Sequence, residues 1–219
     1  MGFEPAFAAT CLPPILAVMG TTLLVTAMTC VLAVSLGFAL EVLRRSSRGA
    51  GYALRLLIDF IRSTPVLVQI YFLYFVLPIY GVRLPAMTVG VAALSVYYSG
   101  YLAEVFKAGI DSVAKGQWEA ATALGLGWWK TILLVIAPQM LRHVAAPMGS
   151  YFISIFKTTP VLAVIAVPEA FGAALDIAAE SFRYTEPLAV VGGLFLAIAV
   201  TFSMLVHRLE ARLARSARR

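Results

Sequence analysis

Apolar stretches long enough to cross a bilayer recur along the whole chain, and this pattern limits the fold more than any other feature. A helix needs roughly 20 apolar residues to cross the hydrocarbon, where it satisfies its own backbone hydrogen bonds. Such stretches cover about 16–40, 56–79, 85–106, 144–167 and 188–206. They predict an all-α integral membrane protein with about five transmembrane helices and one membrane domain over 1–219. Composition agrees. The chain is 61% hydrophobic and 13% charged, against about a quarter charged in soluble domains. A water-soluble fold would lack the polar residues to cover its surface.

Net charge is +6, and its placement matters more than its size. The segments 44–55, 107–142 and 208–219 hold 4, 4 and 5 of the 17 Lys and Arg residues. The other two connections hold Arg83 and Arg183 alone. This bias is the positive-inside pattern, not a nucleic-acid surface. It predicts a multi-pass inner-membrane protein with the N-terminus outside and the C-terminus cytoplasmic. Residues 1–10 carry no Lys or Arg, so the first helix is expected to stay in the mature protein. Cys11 and Cys30 read as apolar helix residues. His143 and His207 complete no metal-ligand spacing, so no metal site is expected.

Two spans share an internal repeat. Ile61-Arg62-Ser63-Thr64-Pro65-Val66-Leu67 resembles Phe156-Lys157-Thr158-Thr159-Pro160-Val161-Leu162. Proline inside a helix removes a backbone donor and clashes with the preceding turn. Threonine can cap a restarted helix with proline at its first position. The restarted helix would then offer free N–H groups to a carboxylate, and transporters place sites at such breaks. The alternative is a pair of ordinary proline kinks whose hydroxyls satisfy the freed carbonyls. Asp59, Arg62, Glu104 and Lys157 are expected to be buried, and charges in a bilayer are costly and are paired or functional; internal Arg–Asp pairing is the alternative explanation.

Between the third and fourth spans the chain turns polar. Gly116-Gln117-Trp118-Glu119-Ala120-Ala121-Thr122-Ala123-Leu124-Gly125-Leu126-Gly127 leads to Ile136-Ala137-Pro138-Gln139. Small residues suit a helix held closely by a partner, Gly125 suits a tight turn, and Glu119 suits a helix start. A solvated amphipathic loop is the alternative. The stretch closely resembles the EAA loop of bacterial ABC importer permeases, here spanning about 111–139. Arg62-Ser63-Thr64-Pro65-Val66-Leu67-Val68-Gln69, Tyr101-Leu102-Ala103-Glu104, Phe156-Lys157 and Val167-Pro168-Glu169 are similar to motifs of the polar amino acid branch, the histidine/glutamine/arginine permease-like family. The resemblance covers roughly 16–212.

The resemblance implies a type I ABC importer permease fold with a cytoplasmic coupling helix. It implies a permease subunit that translocates a polar amino acid or related zwitterion by alternating access. ATPase coupling is carried over to Gln117, Glu119, Ala120, Ala121, Gly125 and Pro138. The substrate path is assigned to Asp59, Arg62, Thr64, Tyr97, Tyr101, Glu104, Lys157, Thr158 and Thr159. No nucleotide-binding Gly-x-x-x-x-Gly-Lys-Ser/Thr loop occurs. The chain is therefore expected to be no enzyme by itself and to bind no cofactor, with ATP and Mg on two separate ATPase subunits. The other expected partners are an extracytoplasmic substrate-binding protein, membrane lipid and a second permease. Tyr97 and Thr158 replace an Asn and an Asp of related permeases, so a heterodimer is expected ahead of a homodimer. An ion-coupled secondary transporter using Asp59 and Glu104 is the alternative reading. A membrane enzyme finds no nucleophile–base or metal constellation.

Overall fold

The computed structural model describes residues 2–216, without the side chains of Arg142 and 209–216. No strand occurs among the described residues. The helices are α1 (Pro5–Arg44), α2 (Arg48–Ser63), α3 (Val66–Tyr71), α4 (Ala86–Asp111), α5 (Lys115–Ala123), α6 (Trp128–Lys130), α7 (Ala137–Thr158), α8 (Ala170–Ser181) and α9 (Thr185–Ser216). Among the described residues, four helices are long and apolar enough to cross a membrane: Pro5–Arg44, Ala86–Asp111, His143–Ile165 and Thr185–Arg208. A fifth crossing exists if the bent pair Arg48–Ser63 and Val66–Tyr80 is one span.

The bounds differ from the sequence expectation in instructive places. α1 begins well before residue 16 and carries Pro13 and Pro14 inside it. The second apolar stretch is not one helix. It bends by 100° at the break between Ser63 and Val66, where Pro65 leaves the helical region at φ −57° and ψ 135°. Pro65 itself is the residue that precedes α3, and no side chain caps that helix. Thr64 therefore does not act as the expected cap; its carbonyl accepts from Gln69 Nε2 at 3.2 Å.

The second copy of the repeat behaves differently. α7 does not stop at Thr158 but tightens into a 3-10 segment, Thr159–Ile165, ending at Ala166 with φ 56°. The Thr158 hydroxyl donates to the Ser154 carbonyl at 2.9 Å, and the Thr159 hydroxyl to Phe156 at 2.8 Å. Both hydroxyls thus satisfy carbonyls near a proline kink, so no side-chain-capped helix start forms there.

The chain forms two compact units. One contains Met1–Val31, Thr64–Ser95 and Phe152–Ser203. Its core joins Cys11, Ile15 and Met19 of α1 to Ala170, Ala174 and Val191. The buried Thr22 hydroxyl accepts the Ala170 N–H at 3.0 Å. The fully buried Glu169 caps α8 by accepting from Phe171 and Gly172 N–H groups, which gives Val167-Pro168-Glu169 a structural role. Asp176 is exposed on α8. Arg183 bridges Glu4 and Glu186.

The other unit contains Leu32–Ser63, Val96–Tyr151 and Met204–Arg219. In it Phe38 of α1 meets Phe106 of α4 edge to face at 5.4 Å. Arg62, Tyr97, Tyr101, Glu104 and the stretch 111–139 lie in this unit.

Candidate functional site: a polar cavity and a coupling loop

Within the second unit, α2, α4 and α7 enclose a cavity of about 390 Å³. Its polar lining consists of Arg62 from α2, Tyr101 and Glu104 from α4, and His143 and Tyr151 from α7. The spacing explains the lining. Tyr101, Glu104, Val105 and Ala108 fall at i, i+3, i+4 and i+7, one face of α4; His143, Pro147 and Tyr151 fall at i, i+4 and i+8 of α7.

Gly100 sets the approach of α2 to α4. A Cβ at that position would stand 3.0 Å from Ile61 Cγ2 and 3.2 Å from Arg62 Cγ. Absence of a side chain therefore lets the end of α2 lie close against α4. The Tyr101 hydroxyl donates to the Arg62 carbonyl at 3.2 Å, and the Arg62 guanidinium sits 5.2 Å from the Tyr101 ring centroid. The Tyr101 proton is used in that bond, so Tyr97 is the donor in the 3.2 Å contact between the two hydroxyls. Tyr98 and Tyr151 complete an aromatic cluster, with centroids 5.9 Å apart between Tyr101 and Tyr151 and 6.4 Å between Tyr98 and Tyr151. Rigid aromatic walls with a few polar groups are the usual construction of a small-molecule site.

Glu104 is held from the far side. Arg44 Nη1 donates to it at 2.6 Å. Arg44 also bonds Glu41, whose side chain is fully buried, and Arg45 bonds both Glu41 and Asp111. Sequence reading missed Glu41 altogether, although its i+3 and i+4 spacing to Arg44 and Arg45 was legible. It also missed His143 and Tyr151 as lining residues, although their helical register with Pro147 was legible.

The structure brings Arg62, Tyr97, Tyr101 and Glu104 together and leaves Asp59 out. Asp59 is exposed on α2 and does not line this cavity. Arg62 and Lys157 are exposed as well, and Glu104 is half-buried, so these charges are not sealed inside the chain as expected. Thr64, Lys157, Thr158 and Thr159 belong to the other unit. Among the described residues no group of His, Cys, Asp and Glu has metal-site geometry.

The coupling stretch folds as the short helix α5 followed by a tight turn. Gly125 takes φ +71°, a left-handed conformation that costs glycine little. The Leu126 N–H closes onto the Ala121 carbonyl at 3.0 Å, as at many helix ends. Gln117, Glu119, Ala120 and Ala123 are exposed, and Leu124 is 78% exposed at the tip. Two details depart from expectation. Ala121 is buried inside this chain, so it packs inward instead of facing a partner. Glu119 is the fifth residue of α5, past its first turn, and gains little from the helix dipole. Pro138 is exposed near the start of α7. Its neighbour Gln139 makes the link that sequence reading did not assign: Nε2 donates to Gln117 Oε1 at 2.9 Å and to the Val135 carbonyl at 2.8 Å.

Comparison with known proteins identifies the family. Residues 32–215 match the family described as binding-protein-dependent transport system inner membrane component. The probable amino-acid ABC transporter permease protein y4tG of Sinorhizobium fredii is 40% identical over 96% of this chain and 91% of its own length. The glutamine transport system permease protein GlnP of Escherichia coli is 35% identical over 75% and 76%. A solved chain described as the crystal structure of an amino acid ABC transporter with histidines superposes with a TM-score of 0.87. It is 30% identical and covers 97% of this chain and 100% of that one. This chain is a multi-pass membrane protein of the binding-protein-dependent transport system inner membrane component family.

Proposed function

We propose that this chain is the permease subunit of an ATP-binding cassette importer that moves a polar amino acid or related zwitterion across the inner membrane. The observation that carries this is the cavity: one guanidinium, one carboxylate and one imidazole among tyrosines, in a chain of this family. A zwitterion leaves water only if both of its charged ends are replaced by partners, because isolated charges in a low-dielectric interior are costly. Arg62 faces its carboxylate. Glu104, shared with Arg44, and the tyrosine hydroxyls face its ammonium. The names of the relatives support amino acids as cargo.

In this reading α5 and its turn dock on one of two separate ATPase subunits, whose ATP and Mg drive alternating access. Exposed Gln117, Glu119, Ala120 and Leu124 form the contact, Gly125 sets its turn, and Gln139 ties it to α7. Pro138 is the second residue of that helix. An extracytoplasmic binding protein delivers the substrate. A second permease completes the dimer, and the Tyr97 and Thr158 replacements favour a partner of different sequence. The single membrane domain runs over 1–219, with the N-terminus outside and the C-terminus cytoplasmic. Thr64, Lys157, Thr158 and Thr159, all in the other unit, are kept as path residues on the resemblance alone. Asp59 draws cationic groups toward it from the exposed face of α2.

The ion-coupled carrier finds no support, since the relatives are ABC transporter permeases and Asp59 stands outside the cavity. The test is reconstitution of the whole complex in vesicles. Amino-acid accumulation should require ATP and the binding protein and should survive collapse of ion gradients. Uptake that follows an ion gradient without ATP contradicts the assignment.

A further inference from the structure

α2 presents three distinct surfaces. Ile58 and Ile61 are buried. Arg48, Tyr52 and Arg55 are exposed at i, i+4 and i+7, a single stripe on the helix. Beside the stripe, Leu56, Leu57 and Phe60 are 52%, 45% and 68% exposed. Cationic and apolar exposed surfaces side by side suit a helix that keeps its cations at headgroup depth and turns its apolar residues toward the acyl chains.

The cationic stripe borders an open cavity of about 740 Å³ in the same unit, lined also by Glu41, Arg44, Arg45, Lys107 and Asp111. Its charges do not balance. Arg44 is committed to Glu41 and Glu104, Arg45 to Glu41 and Asp111, and Lys107 to Asp111. Among the described residues no carboxylate pairs with Arg48 or Arg55, although both face this cavity. Five lining cations against two lining carboxylates, with Glu104 a third that reaches Arg44 alone, leave room for an anion at Arg48 and Arg55.

We propose that this cavity binds the phosphate of an anionic phospholipid headgroup, held by Arg48 and Arg55, with the acyl chains lying along Leu56, Leu57 and Phe60. Free phosphate satisfies the same cations but leaves the apolar surface uncovered. A lipid satisfies both, and basic pockets at helix ends beside a bilayer suit anionic headgroups. Tyr52, 68% exposed on the same stripe, has the amphipathic ring found at headgroup depth. The inference rests on the membrane assignment and not on the identity of the cargo.

The experiment is native mass spectrometry of the purified importer complex, titrated with phosphatidylglycerol, phosphatidylcholine or inorganic phosphate. The wild type should retain phosphatidylglycerol in preference to phosphatidylcholine, and millimolar phosphate should not displace it. The double variant Arg48→Ala with Arg55→Ala should bind phosphatidylglycerol about tenfold more weakly or worse, since each cation near an anionic surface adds a several-fold gain. The Arg48→Lys, Arg55→Lys pair should retain most of the binding. Equal phosphatidylglycerol retention by the alanine variant overturns the proposal. Displacement by inorganic phosphate assigns the cavity to a soluble anion and also overturns it. Loss of the second permease from the alanine variant, with lipid retention unchanged, makes the surface a protein interface and overturns it as well. Uptake is not part of the readout, so failure here is separable from failure of the transport assignment.

Discussion

The Tyr101 hydroxyl donates to the Arg62 carbonyl at 3.2 Å, and the Arg62 guanidinium lies over the ring of the same tyrosine. One side chain on α4 therefore fixes both the backbone where α2 ends and the cation that faces the cavity. Tyr101→Phe keeps the ring contact and loses the hydrogen bond, worth about 1 kcal/mol net. It should lower uptake several-fold. Tyr101→Ala also loses the cation–π contact, about 0.5–2 kcal/mol more, and should lower uptake well beyond the phenylalanine variant. Initial uptake rates in reconstituted vesicles check the order; equal rates for both variants contradict it.

Gly125 separates folding from coupling. It is exposed, and a Cβ there meets nothing within 4 Å in this chain. Gly125→Asp costs only the strain of φ +71°, about 1 kcal/mol. Membrane levels should stay normal while uptake and substrate-stimulated ATP hydrolysis are lost, because the new charge would lie in the proposed docking contact. Normal uptake at normal levels rules out that docking role.

Glu41 gives the largest stability effect. Its buried carboxylate holds both Arg44 and Arg45. Glu41→Ala leaves two guanidinium groups without that partner, and removing one member of a buried ionic cluster costs roughly 3 kcal/mol. The detergent-solubilised complex should melt several degrees lower than the wild type. Glu180→Ala, at an exposed site on α8, should melt like the wild type. Thermal unfolding followed by size-exclusion chromatography makes the comparison.

Topology follows from the distribution of Lys and Arg. Reporter fusions after Arg48, Gly116 and Arg215 should report cytoplasm, and a fusion after Arg83 should report the outside. A cytoplasmic signal at Arg83 contradicts the proposed orientation.

The elements that sequence made legible are those set by local periodicity and composition. Long apolar runs marked α1, α4, α7 and α9, and glycine with small residues marked α5 and its turn. Proline signalled that residues 63–66 and 158–160 are special but not how. Pro65 ends a helix, whereas Pro160 follows two threonines whose hydroxyls serve Ser154 and Phe156. That difference depends on what each segment packs against, which the repeat alone does not encode. The cavity was partly legible: Arg62, Tyr101 and Glu104 lie in recognisable motifs. His143 and Tyr151 were missed because they join the site only through the packing of α7 on α4. Asp59 was placed on the path for its charge, yet it lies on the exposed side of the helix that carries Arg62.

The central claim is that substrate crosses through the cavity lined by Arg62, Tyr101, Glu104, His143 and Tyr151. Ala108 lines that cavity and is exposed, so a larger residue there fills space without displacing a packed core. The decisive measurement is ATP-dependent amino-acid uptake by complexes carrying Ala108→Trp, normalised to membrane level, with basal ATP hydrolysis as the control for ATPase docking. The account predicts near-complete loss of uptake with basal hydrolysis retained. Wild-type uptake by Ala108→Trp contradicts it.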